Sequence, residues 1–258
     1  MIDLHCHVLP GIDDGPATLE DALALGRAQE ALGITTIVAT PHVSWDFPEV
    51  TAAVIARGVA EVNAAFAREG IAVTVTAGAE VALTRAVELS DAELDALCLG
   101  AGQWLLLEPP HSPAATAGTE AAIVSLLHRG HQLVIAHPER CPAFLSNRAA
   151  LERLVNGGAL TSLTAGALTG RFGRDARRYA VGMIADGLAH DVASDAHGIS
   201  PRRPPGMAAE LDEAGYGGLT DWLCRGVPDA IIAGSALPAR PAVEPPRRGP
   251  LARLLKRA

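Results

Sequence analysis

The first residues able to do chemistry arrive almost at once: His5 and His7 flank Cys6, and the turn Pro10-Gly11-Ile12-Asp13-Asp14-Gly15 follows. In a strand successive side chains alternate faces, so His5 and His7 project together and can grip one ion while Cys6 points away. Asp13 and Asp14 sit in a Gly/Pro-bounded turn, where a short carboxylate can fold back over the strand's end. The same residue types recur further on. His42 follows Thr40-Pro41, Glu80 follows Gly78-Ala79, and Glu108 closes Trp104-Leu105-Leu106-Leu107. His137 opens His137-Pro138-Glu139-Arg140, and Asp195-Ala196-His197 supplies two more.

Imidazole and carboxylate without thiolate suit Mn²⁺, Fe or Zn²⁺ and disfavour Mg²⁺, which prefers an oxygen shell. A catalytic ion commonly takes about three protein ligands, so a set this large implies two to three divalent ions. Manganese is the first expectation, with iron or zinc as alternatives that the ligand types do not separate. Adjacent ions can clamp the attacking and leaving oxygens of a phosphoryl transfer, and a hydroxide bridging them supplies the nucleophile that attacks phosphorus. Phosphoester hydrolysis is the natural reaction. Arg140, just past His137, and Arg203, beyond His197 and not separable in the sequence from the adjacent Arg202, are candidates to hold the phosphate through charge-assisted hydrogen bonds.

These residues need elements to position them. Residues 18–32 carry apolar positions at helical spacing, with Thr18 as N-cap and Gly33 as stop. Residues 34–40 form a β-branched run too short for a helix, which puts His42 at a strand's C-terminal end. Residues 48–69 read as a long Ala-rich helix, and 72–77 as a strand delivering Glu80. Further helices are expected over 90–97, 119–129, 148–156 and 175–186, with strands ending in Glu108, in His137, near 160–163 and before Asp195. The strand near 160–163 carries no evident ligand. About seven strands alternating with helices predict parallel βαβ units in an α/β barrel, whose strand C-termini share one face. His5, His7, Asp14, His42, Glu80, Glu108, His137, Asp195 and His197 would then converge.

The chain has 258 residues, 49% of them hydrophobic, enough for one large core. No run reaches the roughly 18 apolar residues of a membrane span, and no basic-then-apolar leader opens the chain, so a cytoplasmic protein is expected. The formal net charge of −8 argues against a nucleic-acid footprint. Cys6, Cys98, Cys141 and Cys224 lack paired spacing and read as reduced and structural. Residues 1–237 are expected to form the catalytic barrel and 238–258 a Pro-rich linker with a basic tail.

The segments around His5-Cys6-His7, Asp13-Asp14-Gly15, Pro41-His42, Glu80, His137-Pro138-Glu139-Arg140 and Asp195-Ala196-His197 closely resemble the bacterial metal-dependent tyrosine-protein phosphatases of the PHP superfamily. These are the CpsB/YwqE-type enzymes of capsule and exopolysaccharide synthesis, and the resemblance spans roughly residues 1–215. It implies a distorted (β/α)7 TIM-like barrel with three metals. One would be held by His5, His7, Glu80 and Asp195. A second would share Glu80 with Glu108 and His137, and a third would be held by Asp14, His42 and His197. Arg140 and Arg203 would bind the phosphate. The implied partner is a phosphotyrosine protein, the tyrosine-rich tail of a bacterial polysaccharide-assembly autokinase; assembly into a homo-oligomer stays open. Pro109 and Pro110 depart from the pattern, in which an aromatic commonly follows the glutamate, and the chain beyond Gly234 matches poorly.

A cysteine-based phosphatase needs five residues between Cys and Arg, and Cys141 to Arg148 has six. His111, His128, His131 and His190 match no motif and are assigned no role. Asp13 reads either as an orienter of a ligand or as a solvated turn residue. A PHP-type small-molecule phosphatase, such as histidinol-phosphate phosphatase or a general small-phosphoester hydrolase, is the alternative within the superfamily, and a non-catalytic, metal-stabilised kinase-regulatory module is the alternative from another class. A polymerase-attached exonuclease is disfavoured by charge.

Overall fold

The computed structural model describes residues 1–201 and 203–242. Most of the expected tail, 243–258, and Arg202 lie outside the described residues. All strand pairs are parallel. One sheet runs β1 (Ile2–Cys6), β2 (Thr36–Ala39) and β4 (Thr74–Ala77). The other runs β3 (His42–Val43), β5 (Glu80–Ala82), β6 (Trp104–Glu108), β7 (Gln132–Ala136), β8 (Leu160–Thr164) and β9 (Asp191–Ala193).

The two sheets are one curling layer, because β2 continues into β3 and β4 into β5. Residues just past β9 then meet β1: Asp195 N donates to His5 O and His7 N donates to Ala196 O, both at 2.9 Å. Seven strand paths in the order of the chain result, the α/β architecture with parallel sheets expected from the sequence. The expectation that His42 and Glu80 end their strands needs correction, since each begins a new short strand after a break. Pro41 has no N–H to donate at the first break. At the second, a Cβ on Gly78 would stand 2.8 Å from Val38 and 2.9 Å from Leu99, so any side chain there would have to displace these buried neighbours. The two new strands pair directly, His42 opposite Glu80.

Alternation sorts the core. Along β6, Leu105 and Leu107 pack with helix residues Leu126, Leu154 and Met183, while Leu106 faces Val134, Leu160, Val227 and Ile231. The first helix, α1 (Leu19–Ala31), starts at a capping box between Thr18 and Asp21. It lies on α2 (Ala52–Arg68), which starts at Thr51 rather than at residue 48. The helix expected over 90–97 shortens to Asp91–Asp95. Beneath the rim, buried Asp3 accepts from Gln29 Nε2 of α1 at 2.5 Å and from Ser194 Oγ at 2.5 Å. That polar tie fixes the end of β9 against β1, and with it Asp195 against His5. At the far end Pro238 and Arg240 still bond to the body, through Trp222 Nε1 and Ile184 O. Among the described residues no helix is long and apolar enough to cross a membrane.

Candidate metal centre

Parallel strands deliver their C-terminal residues to one rim, and there the candidate ligands meet. Glu80 is central. Its Oε2 lies 3.2 Å from His5 Nε2, 3.3 Å from His7 Nε2 and 3.1 Å from His42 Nδ1, while its Oε1 lies 2.7 Å from His137 Nε2. His5 Nε2 and His7 Nε2 stand 3.3 Å apart, with Asp195 Oδ1 at 3.5 Å from the former and 3.7 Å from the latter. Asp14 reaches over from its turn: its Oδ1 is 3.4 Å from His42 Nε2 and 3.1 Å from His197 Nε2. Glu108 presents Oε2 at 3.8 Å from His42 Nδ1 and Oε1 at 4.0 Å from His137 Nε2. Every ligand candidate named from the sequence therefore lies in this cluster. Its members fall into overlapping sets close enough to share an ion: His5, His7 and Glu80; His7, Asp14, His42 and His197; and His42, Glu80 and Glu108.

The backbone is bent to serve the rim. His137 (φ 30°) and Asp195 (φ 51°), each just beyond a strand, are the non-glycine residues with positive φ among those described. Left-handed backbone outside glycine is disfavoured and clusters at functional sites.

The donors fit divalent cations. Ligand atoms about 2.1 Å from a tetrahedral ion stand about 3.4 Å from one another, close to the spacings around Glu80. Buried imidazoles whose nitrogens face one another and a shared carboxylate also lack enough protons to satisfy every lone pair. His137 Nδ1 is buried without a hydrogen-bond partner. The field in the cluster is uneven. Burial opposes protonation of His7, yet hydrogen bonds to Asp13 and Glu80 outweigh it and raise the imidazole to about 10. Burial and the neighbouring Arg140 cation lower His137 to about 4. Burial disfavours the charged form of Asp195, but His5 and Arg140 hold it well below the usual carboxylate range.

Both candidate phosphate arginines border Asp195. Arg140 Nη1 donates to its Oδ2 at 2.5 Å, and its guanidinium lies 4.6 Å over the Phe172 ring. The strand without a ligand, β8, has a supporting part here: Thr164 Oγ1 accepts from Arg140 at 3.5 Å, and Thr164 N donates to Glu139 Oε1. Arg203 Nη1 lies 2.6 Å from His197 Nε2 and 3.8 Å from Asp195 Oδ1.

Residues left open or unassigned by the sequence now have surroundings. Asp13 holds a candidate ligand rather than facing solvent: its Oδ2 is 2.7 Å from His7 Nδ1 and accepts from His42 N at 3.1 Å. His111 comes to the rim, with Nε2 3.2 Å from Glu108 Oε1. Its signal was a histidine three residues after a candidate ligand, carried by two prolines. Phe47 stacks on His42, ring centroids 5.7 Å apart. His131 instead pairs with Asp91 at 2.9 Å, away from the rim. Cys6 is buried, as its opposite facing required, and burial raises its thiol.

A parallel α/β rim with overlapping imidazole–carboxylate sets and flanking arginines defines a protein built for metal-assisted chemistry on an anionic substrate. The family model for capsular polysaccharide synthesis proteins CpsB/CapC matches residues 1–213, and the chain belongs to that family. It is 34% identical over 204 residues to the tyrosine-protein phosphatase YwqE of Bacillus subtilis, covering 78% of this chain and 79% of YwqE. It is also 34% identical over 218 residues to CapC of Staphylococcus aureus, a putative tyrosine-protein phosphatase, covering 82% of each. A crystal structure from work on YwqE and on CpsB of Streptococcus pneumoniae, described as metal-dependent tyrosine phosphatases, superposes with a TM-score of 0.75 at 29% identity. The match covers 96% of this chain and 100% of that one.

Proposed function

We infer that this chain is a metal-dependent protein-tyrosine phosphatase of the cytoplasm, acting on the tyrosine-rich tail of a bacterial polysaccharide-assembly autokinase. The observation that carries the phosphate reading is the placement of Arg140 and Arg203 together against Asp195, at the edge of the imidazole cluster. Two guanidinium groups on one rim suit a dianionic phosphate, and each can donate two hydrogen bonds to its oxygens. The tyrosine reading draws on the relatives named tyrosine-protein phosphatase and on a family described by capsular polysaccharide synthesis.

The residues proposed to hold two to three divalent ions, manganese first, are His5, His7, Asp14, His42, Glu80, Glu108, His137, Asp195 and His197. Bound there, the ions supply Lewis-acid polarisation of phosphoryl oxygens and lower the pKa of water to the neutral range. The chain's own residues do the positioning. Arg140, held by Asp195 and Phe172, and Arg203, beside His197, orient the non-bridging oxygens so that the tyrosyl oxygen leaves in line. Asp13 keeps His7 turned toward Glu80. We place the catalytic unit at residues 1–237 and a Pro-rich linker with a basic tail at 238–258.

The test is release of phosphate from a phosphotyrosine peptide by the full chain, before chelation, after it, and with Mn²⁺ restored. Chelator-sensitive turnover that Mn²⁺ recovers, and a preference for the peptide over histidinol phosphate, are expected. Preference for histidinol phosphate would remove the substrate assignment. Bound metal without turnover would point to a kinase-regulatory module instead.

A further inference from the structure

We propose that His111 is a metal ligand, forming with Glu108 and His137 an outer cation position on the rim. The inference rests on the reading that the rim holds divalent cations, and it adds a ligand that none of the sequence motifs marks.

Glu108 carries the argument because its two oxygens face different neighbours. Oε2 looks inward, 3.8 Å from His42 Nδ1, in the set that includes Glu80. Oε1 looks outward, 3.2 Å from His111 Nε2 and 4.0 Å from His137 Nε2. The two imidazole rings stand 4.8 Å apart between centroids, tilted by 30°. Those spacings bracket the roughly 3.4 Å expected between ligand atoms around one tetrahedral ion. One carboxylate can thus border two cation positions, the inner through Oε2 and the outer through Oε1.

The local chain favours a held imidazole over a wandering one. Pro109 and Pro110 fix two successive φ angles between Glu108 and His111. The carbonyl of Pro110 is capped by Cys141 Sγ at 3.7 Å, beside the His137 segment. His137 brings a buried ring whose Nε2 faces both Glu80 Oε1, at 2.7 Å, and Glu108 Oε1, while His111 is 35% exposed. The outer position therefore has one buried donor, two nearer the surface and a side open to solvent, as a site that exchanges a water for substrate requires.

A neutral hydrogen bond from His111 that merely orients Glu108 predicts a different response, so the experiment separates the two. The full-length chain is loaded with Co²⁺ and titrated with a competing chelator, following the visible absorption of the bound ion. His111→Ala, His111→Gln and, as a surface control, His128→Ala are compared with wild type, and circular dichroism melts establish that each is folded. Glutamine can still donate to Glu108 but is a poor replacement for an imidazole ligand. Both His111 variants should release one Co²⁺ at least tenfold more readily, with a changed absorption spectrum, while His128→Ala follows wild type. Unchanged Co²⁺ retention in both overturns the proposal, as does recovery of wild-type retention in His111→Gln alone. Wild-type protein that holds no Co²⁺ would instead remove the cation reading of the whole rim.

Discussion

Asp13 Oδ2 lies 2.7 Å from His7 Nδ1, on the opposite side of the ring from the nitrogen facing His5 and Glu80. A carboxylate there sets the tautomer and orientation of a ligating imidazole and raises its basicity. The turn that delivers it is tightly seated, for a Cβ on Gly15 would stand 2.8 Å from His7 O. Asp13→Ala should therefore keep the fold and weaken Mn²⁺ binding about 10- to 100-fold. Calorimetric titration of Mn²⁺ measures this, and Asp13→Asn should fall between variant and wild type. Wild-type affinity in Asp13→Ala would reduce Asp13 to a turn residue.

Arg140 is held by Asp195 and by the Phe172 ring at the edge of the imidazole cluster, where a bound phosphate would come within its reach. Removing Arg140 should lower kcat/KM on a phosphotyrosine peptide on the order of a hundredfold or more, as loss of one preorganised charge donor does. Arg140→Lys should recover little, since an ammonium cannot present the planar fork. Mn²⁺ affinity should not fall in either variant, because the guanidinium competes with a cation for Asp195. Steady-state kinetics beside metal titration checks both halves; near-normal turnover in Arg140→Ala would show that phosphate is held elsewhere.

Much of the site was legible in the sequence because ligand-type residues stand immediately after short apolar runs, where a parallel sheet gathers them. His137 and Asp195 are of this kind. What stayed hidden depends on contacts made only in the folded chain. His42 and Glu80 look like strand ends but begin new strands, since Pro41 and the crowded Gly78 interrupt the ladder. His111 has no periodicity to betray it, and its approach to Glu108 follows from two fixed proline angles. The support of Arg140 by Thr164 and Phe172 links separate segments, so no spacing in the sequence announces it.

Gly26 tests how tightly α1 seats on α2. A Cβ there would lie 2.4 Å from Phe66 Cζ, and Phe66 is fully buried. Alanine in a helix interior is favoured over glycine by about 1 kcal/mol, yet overpacking a filled core costs about 1–3 kcal/mol. Gly26→Ala should thus destabilise the protein, lowering its urea midpoint with little change in slope. Adding Phe66→Leu should restore part of the loss by clearing the space. A raised midpoint in the single variant would mean that the ring moves aside freely.

His190 provides an acid-sensitive point away from the metal cluster. Burial, assisted by the Arg240 cation, lowers its imidazole from an ordinary 6.5 to about 4. Its Nδ1 faces Thr161 N at 3.3 Å and Thr161 Oγ1 at 3.2 Å, so the neutral ring can accept from β8. Between pH 6.5 and 4 the unfolded chain binds a proton at this position that the folded chain refuses. The stability contributed by neutral His190 is therefore fully present above pH 6.5 and is lost as pH falls toward 4, on the order of 3 kcal/mol. Buried Glu139, which burial raises to about 7, titrates in a neighbouring range, so the informative quantity is a difference. His190→Asn keeps an acceptor near Nδ1 and cannot charge. Chemical unfolding of both proteins at pH 7, 5.5 and 4.5 should show the variant losing less stability than wild type. Parallel losses in the two would mean that His190 takes up its proton in the folded state without penalty.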